Sequence, residues 1–280
     1  MLHKAKPEPI TVADVEYVLG TSQSELDRLG IQHDAWRNDA EIAWRTAGFR
    51  SGDHLLDLGC GPGFATLDLA RIVGPSGRVM AVDQSAEFLA HLHARCSERG
   101  IANVTAVQAD LASDDLPADA FDGVWIRWVL AFMPAWRDVL TRAAQRVKPG
   151  GSFAIHEYFD YGAWRAVPRD EAFENFVAAV IKSWRNRGGE PDIGIPIAQE
   201  LQKLGFTITA RRMITTASIR GDDRWRWMTT FARFAPSRLM ELGEIDADEA
   251  DAFRAAIDRV ESNGSWMISP GVIEVVATRD

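Results

Sequence analysis

The sequence predicts an α/β fold in which helices flank a mostly parallel sheet. Short apolar segments of strand length alternate with longer segments whose apolar residues recur at helical spacing. The apolar segment Leu55–Leu58 is followed by a glycine turn, Gly59–Gly63, and then by a helix beginning near Phe64. A second strand, Arg78–Val82, ends at Asp83. This order of strand, glycine turn, helix and acid-ended strand is typical of the first half of a nucleotide-binding sheet.

Length and charge limit the kind of protein. The 280 residues exceed a minimal α/β domain and fall short of two full ones, so we expect one large domain over residues 51–280 and a helical region, 1–50, before it. Helical inserts are expected at about 160–196 and 221–264. The net charge of −9 argues against a nucleic-acid partner, because nucleic-acid binding depends on basic surfaces.

Cysteine usage and the N-terminal residues bear on the compartment. The two cysteines, Cys60 and Cys96, do not suggest a disulfide, because Cys60 lies inside the glycine turn. Residues 1–10 carry charges and prolines, unlike a signal peptide, and no apolar run reaches the roughly 18 residues of a membrane span. We therefore predict a cytoplasmic protein without membrane association.

The other elements are predicted from apolar periodicity and from capping residues. Ser85 is suited to cap a helix, and Asp246 with Glu249 has the spacing of a capping box. The predicted helices are 12–19, 21–29, 34–47, 85–99, one with Pro134 in its first turn, 170–184, 197–204 and two within 221–264, with a loop at 185–196; the further strands are 103–109, 121–126, 152–158, 206–216 and 272–278.

The chemistry of the glycine turn points to a nucleoside ligand that carries a positive charge. Alternate glycines let a ligand approach the backbone, and the following helix presents its N-terminus to that ligand. Asp83 suits the two hydroxyls of a ribose. Phe64 stands where a dinucleotide-binding turn has glycine or alanine, and Asp57 would repel a pyrophosphate but attract an ammonium group. A turn that merely connects strand and helix is the alternative.

This stretch resembles motif I of the class I S-adenosylmethionine-dependent methyltransferases. Val147–Gly151 is similar to the Leu-Lys-Pro-Gly-Gly segment of that family, and the resemblance covers about 52–158 and again 197–280. The resemblance implies a Rossmann-like seven-stranded sheet of order 3-2-1-4-5-7-6 with strand 7 antiparallel. It also implies a lid formed by residues 1–50, S-adenosylmethionine as cofactor, and a small-molecule substrate as in ubiquinone and menaquinone biosynthesis.

The same resemblance implies which residues bind the cofactor. Asp110 matches the acid that contacts the adenine amino group, with the adjoining backbone supporting the ring, and a solvated carboxylate is the alternative. Arg127 and Trp128 follow the fourth strand, where a guanidinium can bind a carboxylate and an indole can contact a sulfonium, although both can equally be packing residues. The full predicted set is Tyr17, Gln32, Asp57, Gly59, Cys60, Gly61, Gly63, Asp83, Gln84, Asp110, Leu111, Arg127 and Trp128.

A general base is less well defined. His156, Glu157 and Tyr158 lie at the end of the fifth strand, and His33 lies in the N-terminal helices. Their types suit proton transfer, and His156, Glu157 and His33 are the predicted catalytic residues. Because side chains alternate along a strand, His156 and Glu157 cannot face the same side, and a buried structural histidine is the common alternative. No metal site is predicted.

The sequence therefore predicts a methyltransferase acting on a small, partly apolar molecule, with oxygen, nitrogen or carbon as the acceptor atom. A nicotinamide-dependent oxidoreductase and a catalytically silent cofactor-binding protein are the alternatives. The amphipathic segment within 160–196 suits either a substrate pocket or a homodimer contact.

Overall fold

The computed structural model describes residues 23–280, and a sheet of seven strands forms its centre. The strands of the described chain are β1 (His54–Leu58), β2 (Arg78–Asp83), β3 (Val104–Gln108), β4 (Phe121–Arg127), β5 (Val147–Asp160), β6 (Arg165–Val167), β7 (Phe206–Ile214), β8 (Ala217–Ser218), β9 (Trp266–Ile268) and β10 (Gly271–Arg279). The large sheet has the order β3-β2-β1-β4-β5-β10-β7, and β10 is antiparallel to both of its neighbours. The predicted order is confirmed, since β7 and β10 are the predicted sixth and seventh strands.

Helices cover both faces of this sheet and its carboxyl edge. They are α1 (Gln23–Thr46), α2 (Phe64–Val73), α3 (Ala86–Glu98), α4 (Trp136–Arg146), α5 (Glu171–Asn186), α6 (Gly194–Lys203), α7 (Asp223–Glu241) and α8 (Ala247–Ser262). The predicted caps are confirmed: Ser85 accepts from the Phe88 N–H, and Asp246 and Glu249 form a capping box. Pro134 lies just before α4 rather than in its first turn, and α6 begins inside the predicted loop.

The predicted helices 21–29 and 34–47 are one continuous helix, α1. Gly30 lies inside this helix, at the point where α1 packs against Phe64 of α2. A β-carbon at Gly30 would lie 3.3 Å from Cζ of Phe64. The glycine therefore serves close helix packing and not a helix end. The predicted helix 12–19, with Tyr17, lies outside the described residues.

Two apolar layers hold the sheet between its helices. Leu55 packs with Trp44 and α2 on one face, whereas its neighbour Leu56 packs with residues of α4 and α6 on the other. Adjacent residues of a strand point to opposite faces, and every residue of β1 is buried. This double burial is typical of a parallel sheet covered on both sides.

A third apolar cluster lies above the carboxyl ends of β4 and β5. It joins Trp36 of α1 and Trp128 and Tyr158 of the strand ends to buried residues of α5, α7 and α8. We call these helices, with the three-stranded sheet β6-β9-β8, the cap. The small sheet was not predicted from sequence, because strands of two or three residues are too short for a periodic pattern. The predicted boundary at residue 50 between lid and domain stays a prediction.

Candidate functional site

A cavity of about 490 Å³ lies between the sheet's carboxyl edge and the cap. One end is lined by the glycine turn and by the residues that follow β2 and β3, and the other end is lined by aromatic side chains of the cap. A crevice beyond the carboxyl ends of parallel strands is the usual ligand site of this architecture. Of the predicted cofactor residues, the cavity is lined by Gln32, Asp57, Gly59, Cys60, Gly61, Asp83, Gln84, Asp110, Leu111, Arg127 and Trp128.

The glycine turn has the backbone conformation that requires glycine. Gly59, Gly61 and Gly63 have φ values of +71°, +54° and +82°. A β-carbon at Gly63 would also lie 2.3 Å from Cδ1 of Leu92 in α3, whereas none of the surrounding atoms lies within 4 Å of a β-carbon at Gly61. Gly63 thus serves the packing of α2 against α3, and it does not line the cavity.

Asp83 both lines the cavity and holds the glycine turn. Its two carboxylate oxygens accept hydrogen bonds from the N–H groups of Gly61, at 2.8 Å, and Ser85, at 2.9 Å. Burial raises the pKa of this carboxyl above its usual value. Each oxygen keeps a further lone pair for a ligand, so the observed bonds do not exhaust the carboxylate.

Asp110 has a similar place at the end of β3. Its oxygens accept from the Ala112 N–H at 2.8 Å and from the Ser113 hydroxyl at 3.0 Å. Leu111 beside it is buried and lines the cavity. The pair offers a polar and an apolar surface side by side.

Asp57 is the buried acid below the turn. Its Oδ2 accepts a 2.6 Å hydrogen bond from the hydroxyl of Thr66, and burial raises its pKa to about 6. Arg127 lies at the end of the neighbouring strand β4, and burial lowers the pKa of its guanidinium to about 10. At neutral pH the cavity floor therefore carries a negative and a positive group.

Trp128 follows Arg127 in an unusual backbone conformation. Its φ of 52° is in the left-handed region, which bulky residues rarely occupy, and its N–H donates to the carbonyl of His156 at 3.0 Å. Its ring stacks with those of Tyr158 and Trp227, at centroid distances of 5.5 and 5.7 Å, and meets Trp36 edge to face. Trp128 thus lines the cavity as part of an aromatic cluster that includes the cap.

The aromatic end of the cavity is built by residues far apart in the chain. Gln32 of α1 is its polar member, and Oε1 of Gln32 accepts from Trp227 at 3.2 Å and from Arg28 at 3.1 Å. No spacing in the sequence singles out Tyr161 or Trp164 for this site. Besides Trp128, the aromatic residues that line this end of the cavity include Phe132, Tyr158, Tyr161, Trp164, Trp184, Trp227 and Phe231.

None of the three predicted catalytic residues lines the cavity. His156 is fully buried, and its Nε2 lies 3.1 Å from Oε2 of Glu274. Glu157 is fully buried on the other face of β5, where its Oε1 accepts from the N–H groups of Val129 and Leu130, each at 2.8 Å. His33 is buried and lies 2.9 Å from Asp68. Their positions do not support direct contact with a substrate, because β5 is covered on both faces at His156 and Glu157, and His33 of α1 is buried outside the cavity.

Within residues 23–280, no group of three or more His, Cys, Asp or Glu side chains is arranged to hold a metal ion. None of the helices in this range is both long and apolar enough to cross a membrane.

One family model matches the central part of the chain. Residues 55–151, from β1 into β5, match the family model of a methyltransferase domain. Over these residues the chain is similar to that family. The match includes the glycine turn, Asp83, Asp110 and the end of β4, and it stops before the cap.

Curated relatives resemble the same part of the chain. A demethylmenaquinone methyltransferase of Anoxybacillus flavithermus is 35% identical over 126 residues, which are 45% of this chain and 52% of that protein. The ubiquinone/menaquinone biosynthesis C-methyltransferase UbiE of Azotobacter vinelandii is 34% identical over 113 residues, which are 40% of this chain and 45% of that protein. The chain spans about half the length of the curated relatives it matches.

Solved structures share the fold of this chain at low sequence identity. The YcgJ protein of Bacillus subtilis superposes with a TM-score of 0.59 at 17% identity, over 87% of this chain and 98% of that one. Geranyl diphosphate C-methyltransferase of Streptomyces coelicolor gives 0.56 at 16% identity, over 93% and 85%. These likenesses establish the fold and carry no statement about substrate.

Proposed function

We propose that this protein transfers a methyl group from S-adenosylmethionine to a small, partly apolar molecule. The observation that carries the proposal is one cavity that joins the glycine turn and the strand-end acids to an aromatic end. When bound, the cofactor supplies an activated methyl group on a sulfonium, and methyl transfer is an in-line displacement by the acceptor. The protein's part is then to position the two molecules and to exclude water.

The residues at the glycine-turn end fit such a cofactor. Asp83 offers oxygen acceptors for two ribose hydroxyls, and Asp110 offers an acceptor for an adenine amino group beside the apolar Leu111. Asp57 offers a buried carboxylate for an ammonium group. Solved relatives support the proposal, since coclaurine N-methyltransferase, 17% identical, is described with S-adenosylhomocysteine bound.

The aromatic end fits the acceptor. Its rings offer flat apolar surfaces, which suit a planar or apolar molecule and can also face a sulfonium. Because His33 and His156 are buried away from the cavity, an acceptor that is nucleophilic without a histidine base suits the site best. Two relatives are named for methylation in menaquinone and ubiquinone biosynthesis, so a demethylated quinol is the first acceptor to try.

The test begins with calorimetric titration of the purified protein with S-adenosylhomocysteine and, separately, with NAD. We expect binding of the former and none of the latter, and preferential NAD binding would revive the oxidoreductase alternative. Incubation with methyl-labelled S-adenosylmethionine and a panel of demethylated quinols and other aromatic acceptors follows. Binding without transfer to any of them would favour the catalytically silent alternative.

We also propose a cytoplasmic location and a small-molecule rather than a nucleic-acid partner. Both cysteines are free and buried, which suits a reducing compartment, and the net charge of −9 does not favour nucleic acid. A homodimer stays a prediction, which sedimentation of the purified protein would test.

A further inference from the structure

A row of three side chains, with the buried His33 at its centre, connects α2, α1 and the end of β4. Oδ2 of Asp68 lies 2.9 Å from Nε2 of His33, and Nδ1 of the same ring lies 3.0 Å from Nη2 of Arg127. Arg127 lines the cavity, whereas His33 and Asp68 do not. The row therefore begins outside the cavity and ends on its wall.

The donors in this row define the tautomer of His33. A guanidinium only donates, so Nδ1 must accept from Arg127, and the ring hydrogen must then be on Nε2, where it points to Asp68. The groups facing the ring are Asp68, Arg127 and Arg37, with the ring of Phe64 stacked at 5.9 Å. Burial and the two arginines lower the pKa of His33 despite the hydrogen bond with Asp68, so the ring is neutral at neutral pH.

One terminal nitrogen of the Arg127 guanidinium takes no part in this row. This nitrogen, Nη1, is buried and has no hydrogen-bond partner within residues 23–280. Asp57 is the acid whose charge most favours the charged guanidinium, but within residues 23–280 the two form no ion pair within 4 Å. A buried cationic donor without a partner is costly unless a ligand completes it.

We propose that Nη1 of Arg127 binds the carboxylate in the amino-acid part of the cofactor, and that His33, held by Asp68, positions Arg127 for it. The inference rests on the proposed function. Asp57 is the penultimate residue of β1, and Arg127 is the last residue of the parallel strand β4 beside it. Both line the cavity near the glycine turn, so they present opposite charges to the ammonium and the carboxylate of one amino-acid group. An anionic acceptor group is less suited to Arg127, because Asp57 stands beside it.

The first experiment compares two ligands that differ only in the carboxylate. Calorimetry measures the affinity for S-adenosylhomocysteine and for its decarboxylated analogue, S-adenosyl-3-thiopropylamine. Wild-type protein is expected to prefer the former by about 10- to 100-fold, and Arg127→Gln to lose that preference by binding the former more weakly and the latter unchanged. Equal affinities in wild type, or an equal loss of both ligands in the variant, would overturn the inference.

The result for wild type also separates this inference from the proposed function. If S-adenosylhomocysteine binds and the preference is absent, only the role of Arg127 fails. If S-adenosylhomocysteine does not bind at all, the proposed function fails, and the carboxylate site fails with it.

The positioning role of His33 is tested with two substitutions of matched polarity. The oxygen of Asn at position 33 takes the place of Nδ1 and can still accept from Arg127, whereas the amide of Gln takes the place of Nε2 and reaches Asp68. His33→Asn should keep most of the preference for the carboxylate, and His33→Gln should reduce it about ten-fold. Arg71→Gln, which removes an exposed cation from Asp68, is the control and should leave the preference unchanged. An equal effect of His33→Asn and His33→Gln would overturn the positioning role.

Discussion

Asp83 illustrates how one carboxylate combines a structural with a binding role. It ends β2, and the hydrogen bonds that it accepts from the N–H groups of Gly61 and Ser85 stabilise the glycine turn within the protein itself. The sequence predicted a ribose-binding acid from its spacing to the glycines. The bonds within the protein follow from the same position, because the turn folds back over the strand end.

Replacing Asp83 by alanine is expected to weaken binding of S-adenosylhomocysteine by about ten-fold or more. The physical reason is the loss of charge-assisted hydrogen bonds to the ribose, together with a looser turn. Calorimetry measures the affinity, and Asp110→Ala, which leaves the turn's bonds intact, shows how much of the effect comes from the turn. Unchanged affinity in Asp83→Ala would contradict the assignment.

Glu157 has a structural role that could not be predicted from its residue type. Its carboxyl satisfies the N–H groups of Val129 and Leu130, which follow Trp128 and begin the single helical turn Leu130–Phe132. Burial raises its pKa to about 8, although these N–H groups act in the opposite direction. The position of Glu157 in the sequence suggested a catalytic base. In the structure, its buried carboxyl stabilises the segment beside the cavity through these hydrogen bonds.

The raised pKa of Glu157 predicts a dependence of stability on pH. In the unfolded chain this carboxyl ionises near 4.5, and in the folded chain near 8, so the stability that it contributes below pH 4.5 is lost as the pH rises to 8. Glu157→Gln accepts the same N–H groups and cannot ionise. The variant should therefore gain stability relative to wild type as the pH rises from 5 to about 8.

Urea unfolding of both proteins at several pH values measures this difference. The comparison cancels the contributions of His33 and His156, whose lowered pKa values affect both proteins alike. A gap between the two urea midpoints that does not change with pH would contradict a raised pKa for Glu157.

The glycine turn is an element whose backbone and packing requirements can be separated. Gly61 and Gly63 both have positive φ, so alanine at either costs backbone strain of about 1 kcal/mol. Alanine at Gly63 would in addition collide with Leu92. Gly63→Ala should therefore destabilise the protein by about 1–3 kcal/mol more than Gly61→Ala.

Urea unfolding of Gly61→Ala and Gly63→Ala measures that difference, with Gly61→Ala as the matched control. Equal unfolding free energies would show that α3 yields to the extra methyl group. Ligand affinity is expected to fall more in Gly61→Ala than in Gly63→Ala, because Gly61 lines the cavity and Gly63 does not.

Helix α1 shows where local patterns mislead. The sequence predicted two helices, 21–29 and 34–47, and the structure has one. The ring of Phe64, which belongs to α2, packs against Gly30, and no window of sequence around residue 30 contains that partner. Helices α3, α5 and α8 were predicted well because their caps and apolar faces are local properties.

An ionic network, buried at His156 and Glu274 and partly exposed at Arg212, ties the cap to the sheet. Glu274 of β10 accepts from Arg212 of β7 at 2.7 Å and lies 3.1 Å from His156 of β5, while Arg212 also bonds Asp39 of α1 at 2.6 Å. Asp39 in turn is bonded by Arg224 of α7. Although burial opposes it, the bonds from His156 and Arg212 lower the pKa of Glu274, so it is ionised.

Removing Glu274 should destabilise the folded protein substantially. Glu274→Ala is expected to cost about 1–3 kcal/mol, because it leaves the buried ring nitrogen of His156 without its partner, whereas the partly exposed Arg212 keeps Asp39. Glu241→Ala, which breaks an exposed pair with Arg238, is the control and should cost less than about 1 kcal/mol. Urea unfolding measures both, and similar small costs would show that the network contributes little.

Features that are local in the chain could be read from it directly. The glycine turn, the acids that end β2 and β3, the helix caps and the strand periodicity each depend on neighbouring residues, and the resemblance carried by the turn supplied the strand order. The aromatic end of the cavity, the continuous α1 and the seclusion of His156 could not be read in this way. His156 and Glu274 are in contact although they are 118 positions apart in the sequence, and Gln32 and Trp227 are in contact although they are 195 positions apart. Such contacts are decided by how the elements pack in three dimensions, because a side chain's partner there is set by the fold and not by its neighbours in sequence.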